Sequence, residues 1–150
     1  MNIIFVCTGN TCRSPMAEAL FKSIAEAEGL NVSVRSAGVF ASPNARATPH
    51  AVEALFEKHI ALNHVSSPLT EEHMEEADLV LAMTHQHKQI IVSHFGRYRD
   101  KVFTLKEYVT GSYGDVIDPF GGSIDIYKQT RDELEDLLRQ LAKQLKKDSR

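Results

Sequence analysis

Cysteine is scarce in this chain: it occurs only at positions 7 and 12. Two cysteines five apart do not make a disulfide framework. The thiols are therefore expected for their chemistry, in a reducing, cytoplasmic setting. Long apolar runs are also missing, and none approaches the roughly 20 residues of a membrane span, so no membrane partner is expected. The first residues lack a basic segment followed by an apolar one, and no secretory signal is expected. Positive charge is not in excess: 17 Lys and Arg stand against 20 Asp and Glu, a net charge of −3, which argues against nucleic acid as a partner. Neither a Gly-x4-Gly-Lys loop nor a Gly-x-Gly-x-x-Gly fingerprint is present, which speaks against nucleotides. No repeat or low-complexity linker divides the 150 residues, which fit one domain, 1–150, with a single core.

What the chain does have is concentrated near its start. The apolar run Ile3-Ile4-Phe5-Val6 is followed by Cys7-Thr8-Gly9-Asn10-Thr11-Cys12-Arg13-Ser14 and then by the helix-like Pro15-Met16-Ala17-Glu18-Ala19-Leu20-Phe21. A strand, a tight loop and a helix N-terminus are expected there. Small and turn-prone residues between Cys7 and Arg13 let successive backbone N–H groups point inward. Such a loop makes a nest for a tetrahedral anion, reinforced by the positive end of the helix. A thiol held in that field is driven toward its nucleophilic form. The Cys7-x5-Arg13 spacing therefore suits attack of sulfur on phosphorus. The loop residues Thr8, Gly9, Asn10, Thr11, Cys12, Arg13 and Ser14 would bind phosphoryl oxygens, more tightly as charge redistributes in the transition state. The Ser14 hydroxyl is placed to donate to the Cys7 sulfur.

Four apolar runs, 3–6, 32–34, 79–82 and 102–105, alternate with helical patterns, which points to βαβ units and a mainly parallel sheet. Helices are expected from Ser14 to about Glu28, from Thr48-Pro49 with Val52, Leu55 and Phe56 on one face, in a short piece after Thr70, after Thr84 with Ile90 and Ile91 inward, and from about Ser123 to Lys146. The segment 106–122 reads as a glycine-rich loop. Ligands of an open parallel sheet bind at the carboxyl ends of the strands. There the Cys7 loop, Ser36-Ala37-Gly38, Met83-Thr84 and the 106–122 segment are expected to gather. A proton donor for the leaving group is needed, and Asp118 of that segment is the candidate; its other reading is turn chemistry, since Asp-Pro opens turns. Phe40, just after Ser36-Ala37-Gly38, reads equally as a wall of the substrate slot or as packing. His85 and His87, two apart, diverge on a helix and do not chelate one metal, so a surface position is expected for both, and the other histidines apart from His64 read as surface or helix-end residues.

The residues Val6-Cys7-x-Gly9-Asn10-x-Cys12-Arg13-Ser14-Pro15-x-Ala17-Glu18, Ser36-Ala37-Gly38 and Asp118-Pro119 resemble the low-molecular-weight protein-tyrosine-phosphatase family over nearly the whole chain. The resemblance implies an α/β single domain, a four-stranded parallel sheet with helices on both faces and the phosphate-binding loop at the carboxyl end of the first strand. It implies no metal or other cofactor, and phosphorylated proteins as substrates. It makes Cys7 the nucleophile, Arg13 the phosphate clamp, Ser14 the stabiliser of the sulfur, Asp118 the general acid, and Asn10, Ser36 and His64 a network holding the loop. Two features depart from the tyrosine phosphatases: Thr11 replaces a larger aliphatic residue, and Phe120-Gly121 follows Asp118-Pro119 in place of an aromatic pair. Both are similar to the bacterial protein-arginine phosphatases of the family. Phosphoarginine is thus the expected substrate, phosphotyrosine the alternative, with Thr11, Phe40 and Phe120 as selectivity residues. A non-catalytic phosphate-binding module is the rival of another class; intact Cys7, Arg13 and Asp118 argue against it. An arsenate reductase would need a downstream cysteine pair, and no cysteine follows Cys12. Cys12 is expected to serve as a redox partner of Cys7. The oligomeric state is open, with a monomer as the expectation.

Overall fold

The computed structural model describes residues 1–148. Strand β1 (Asn2–Cys7) pairs on one side with β2 (Ser33–Gly38) and on the other with β3 (Leu79–Ala82), which pairs in turn with β4 (Val102–Thr104). All three pairings are parallel and the order is β2-β1-β3-β4. The four-stranded parallel sheet with covering helices is the expected one.

Successive side chains of a strand point to opposite faces. From β1, Ile3, Phe5 and Cys7 enter one core with Met16, Leu20 and Phe21 of α1 (Arg13–Ala27), Leu55 of α2 (Pro49–Phe56) and Leu134, Leu138 and Leu141 of α6 (Ile124–Asp148). Ile4 and Val6 enter the other with Val80, Ala82, Val102, Met74 of α3 (Glu71–Glu76) and Ile91 of α4 (His85–His94). A strand buried on both faces explains why 3–6 is continuously apolar rather than alternating. The expected stripe of α6, namely Tyr127, Leu134, Leu137, Leu138, Leu141 and Leu145, is buried throughout.

Four local expectations need correction. The second strand does not end near Val34; it runs to Gly38, so Ser36-Ala37-Gly38 is its carboxyl-terminal half rather than the loop after it, held by pairing of Phe5 with Ser36 and Cys7 with Gly38. Leu105 does not extend β4 but begins α5 (Leu105–Thr110), capped by Thr104 and Glu107 in a reciprocal box, so the stretch read as one loop starts with a helix. The buried residues of α2 are Ala51, Ala54 and Leu55, while Val52 and Phe56 are exposed. Small residues are required there because Arg131 of α6 donates to the Ala54 carbonyl at 2.9 Å. His73 and His87 are buried rather than at the surface. A 3-10 helix at Gly96–Lys101, unforeseen, leads into β4.

The register sets the site. Cys7 lies opposite Gly38, and Val6 opposite both Ala37 and Ala82, so the carboxyl ends of three strands are level. The loop 111–123 is brought to the same edge by the Val116 N–H, which donates to the Met83 carbonyl at 2.9 Å.

Candidate active site

Cys7 is the last residue of β1 and Arg13 the first of α1, so residues 8–12 form the whole connection. Asn10 has a φ of 56°, the left-handed conformation that lets the loop close within five residues. At the helix start, Cys12 occupies the N-cap without a capping side-chain hydrogen bond. The first-turn amides of α1 are thus left without a capping side chain, the arrangement that receives an anion.

The loop is held from below. The Asn10 side-chain amide donates to Ser14 Oγ at 2.9 Å and Ser36 Oγ at 3.0 Å. Its Oδ1 accepts from the Ser67 backbone N–H at 2.9 Å, and its carbonyl lies 2.9 Å from His64 Nε2. The Ser36 hydroxyl in turn donates to Glu18 Oε1 at 2.5 Å. Asn10, Ser36 and His64 therefore converge as expected, and Glu18 and Ser67 join them. Glu18 stood in the sequence motif with no task; Ser67, acting through its backbone, left no signal. Ser14 Oγ accepts from Asn10 and lies 2.9 Å from the Cys7 sulfur, within reach for its hydroxyl to donate to a thiolate there.

Gly38 seals the back of the loop. A Cβ there would lie 2.5 Å from the Thr8 carbonyl oxygen and 2.9 Å from the Asn10 nitrogen, both backbone atoms. The closest approach of β2 to the loop thus depends on a missing side chain.

The rim is formed by Arg13 and the 111–123 loop. Arg13 is buried, its NH1 donates to the Val116 carbonyl at 2.9 Å, and its NH2 stands 3.5 Å from Asp118 Oδ2. The Asp118 carboxyl is half exposed, and its Oδ1 accepts the Phe120 N–H at 3.0 Å in the local turn. One oxygen of Asp118 thus makes the turn contact of the alternative reading, and the other faces the Arg13 guanidinium. Cys7, Thr8, Gly9, Thr11, Cys12, Arg13, Asp118 and Phe120 line one pocket of about 230 Å³. Asn10 and Ser14 lie beneath it. Phe40 is highly exposed and lines a neighbouring groove with Val39, Leu69, Ile90, Ile91, His94 and Phe95, not the Cys7 pocket. The Thr11 carbonyl accepts from the Thr48 N–H at 2.9 Å, which anchors the outer turn of the loop.

Cys7 and Cys12 are both free thiols. Burial, and next the adjacent Cys7, push the Cys12 thiol up to about 12, so Cys12 stays protonated and donates weakly to Asp118 Oδ1 at 3.9 Å. His85 and His87 do diverge: the first stacks against the Tyr113 ring at 5.2 Å, while the second turns to Thr8. Among the described residues, no group of three or more His, Cys, Asp or Glu side chains is arranged to hold a metal ion.

Residues 2–150 match the family model for low molecular weight phosphotyrosine protein phosphatase. The chain is 91% identical over 150 residues, all of both chains, to a protein-arginine-phosphatase of Bacillus subtilis strain 168. It is 52% identical over 143 residues, 95% of each chain, to the protein-arginine-phosphatase of Geobacillus stearothermophilus. Its fold superposes with a TM-score of 0.98 on a 91% identical solved structure, the YwlE arginine phosphatase C7S mutant with a phosphorylated active-site serine, covering 99% of this chain and 97% of that one.

Proposed function

Because the chain belongs to the low-molecular-weight phosphotyrosine protein phosphatase family, we propose that its pocket hydrolyses phosphoarginine in proteins through a thiophosphate on Cys7. The observation that carries this reading is the meeting of Cys7, Thr11, Arg13 and Asp118 around one pocket. The 91% identity to an arginine phosphatase supports it.

The chemistry follows from the geometry. The Arg13 guanidinium and the amides of the loop bind the phosphoryl oxygens. The Cys7 sulfur attacks phosphorus, the P–N bond breaks, and the Asp118 carboxyl gives its proton to the departing guanidine nitrogen. Asp118, now a carboxylate, takes a proton from water as the water oxygen attacks the thiophosphate. The P–S bond breaks, and arginine and inorganic phosphate are the products. The Ser14 hydroxyl, oriented by Asn10, donates to the sulfur and stabilises the charge it regains in the second step. None of these steps asks for a cofactor.

We read the setting as cytoplasmic, with a single domain acting as a monomer on phosphorylated proteins, and neither nucleic acid nor membrane as a partner. No helix among the described residues is long and apolar enough to cross a membrane. Oxidation of Cys7 by a peroxide to the sulfenic acid, followed by attack of the Cys12 sulfur to form a disulfide with loss of water, is part of the same reading and rests on their places in one loop. Phosphotyrosine is the second substrate class, favoured by the open apolar rim at Phe120. Rates on one peptide carrying phosphoarginine or phosphotyrosine decide between the two. A higher kcat/KM on phosphoarginine is expected; a preference for phosphotyrosine would overturn the assignment.

A further inference from the structure

Thr8 and His87 have no part in the steps above, yet they are joined. His87 sits in the first turn of α4 and is 5% exposed, and its Nε2 lies 2.7 Å from Thr8 Oγ1. Its backbone N–H is held by the N-cap hydroxyl of Thr84 at 3.1 Å, so the reach of the ring is fixed. Its Nδ1 is sealed from solvent and has no hydrogen-bond partner among the described residues. Burial, followed by the nearby Arg13, pushes the ring down to about 4, so it is neutral in the physiological range.

A neutral ring has two tautomers. A proton on Nδ1 would be a buried N–H without an acceptor, the costlier kind of orphan; a proton on Nε2 leaves only a lone pair at Nδ1. His87 Nε2–H therefore donates to Thr8 Oγ1. The threonine oxygen keeps a second lone pair for what enters the pocket, and the β-branched side chain has little freedom to turn away.

The position of Thr8 tells which part of a substrate meets it. Asn10, Cys12 and Ser14 are buried in the loop, whereas Thr8 is exposed while still lining the pocket. Its exposure puts it toward the mouth, the side from which the leaving group of a phosphoryl group bound in the loop would project. We propose that Thr8, held by His87, is a specificity-determining contact that accepts an N–H of the guanidino group beside the transferred phosphoryl. His87 is a positioning residue acting through Thr8. The inference rests on the phosphoarginine reading. A guanidino group offers donors alone, which suits a fixed lone pair; a phenyl ring has no N–H to offer.

The test compares kcat/KM on phosphoarginine and phosphotyrosine versions of one peptide for Thr8→Val, His87→Leu, His87→Gln and the Thr8→Val/His87→Leu pair. The phosphoarginine-to-phosphotyrosine ratio is expected to fall about tenfold in Thr8→Val and in His87→Leu, the rate equivalent of one hydrogen bond to a charged group. The double variant should lose no more than either single one, because both remove the same contact. His87→Gln, which keeps a donor within reach of Thr8, should restore the ratio. An unchanged ratio, parallel losses on both substrates, or losses that add in the double variant would overturn the proposal. Wild-type protein inactive on phosphoarginine would instead overturn the substrate reading beneath it.

Discussion

In the proposed reaction each side chain of the pocket meets a different part of the substrate, so substitutions should separate by substrate rather than by overall activity. Asp118 turns one carboxyl oxygen toward Arg13, the proposed phosphate clamp. Its proton matters in proportion to the basicity of the leaving group. Asp118→Asn should slow phosphoarginine hydrolysis roughly 100- to 10,000-fold while costing far less on an activated aryl phosphate. Steady-state rates on the two substrates check this, and equal losses would remove Asp118 from the acid role. Thr11 lines the pocket with its carbonyl tied to Thr48, so its side chain, not its backbone, is free to vary. Isoleucine would fill the space and offer the guanidino N–H groups no acceptor, at about 1–3 kcal/mol for a donor left unpaired. Thr11→Ile should thus lower phosphoarginine kcat/KM about tenfold to a hundredfold and keep or raise that for phosphotyrosine. Parallel changes on both would make Thr11 a structural part of the loop only. At this scale the gathering of Cys7, Arg13 and Ser14 around one loop was legible in the sequence, because spacing specifies it locally; Asp118, left open between proton donor and turn former by spacing, and the Asn10 network came from the family resemblance. Thr8 with His87 was not legible. Their contact joins residues 79 apart in sequence, and two histidines two apart on a helix give no sign of which one turns inward.

At the scale of elements, the loop depends on how closely β2 approaches it. Gly38 pairs with Cys7, and a Cβ there would run into two backbone atoms of the loop, which have no side-chain freedom with which to yield. Gly38→Ala should cost about 1–3 kcal/mol by overpacking, read as a lower denaturant midpoint, with phosphate affinity lost alongside. Unchanged stability and affinity would show that the strand end has slack. β2 also shows why part of the fold was hidden. Arg35-Ser36-Ala37-Gly38 carries no strand-forming signal; its extension comes from pairing with the central β1 and from the need to put Ser36 beneath Asn10. The first turn of α5 was hidden for a different reason. Thr104 and Glu107 have capping-box spacing, but the glycines after Thr110 dominate the composition of that stretch. In α2, Val52 and Phe56 looked like the inward face by size; the tight approach of α6, with the Arg131 bond to Ala54, selects the alanines instead.

For the whole molecule, the buried histidines make stability depend on acid. His87 faces Arg13, Asp115, Asp118 and the Thr8 hydroxyl, and takes up a proton only near pH 4 in the fold, against an ordinary value of 6.5. Between those values the unfolded chain binds the additional proton, so this contribution to stability is complete above pH 6.5 and is lost as pH falls toward 4. His73, lowered by its burial, acts in the same sense. Denaturant midpoints of wild type and His87→Leu from pH 7 to 4.5 should therefore converge on acidification. Parallel curves would mean that His87 is not the source. In the proposed reaction, the sheet, its two cores and the gathering of loops at one edge serve to set the Cys7 sulfur beneath the phosphoryl group of the substrate. Rapid acid quench during turnover of a phosphoarginine protein, followed by peptide mapping, tests that claim most directly. Phosphate should be found on Cys7 alone and should disappear with Cys7→Ala under the same quench; phosphate on another residue, or undiminished turnover without Cys7, would contradict it.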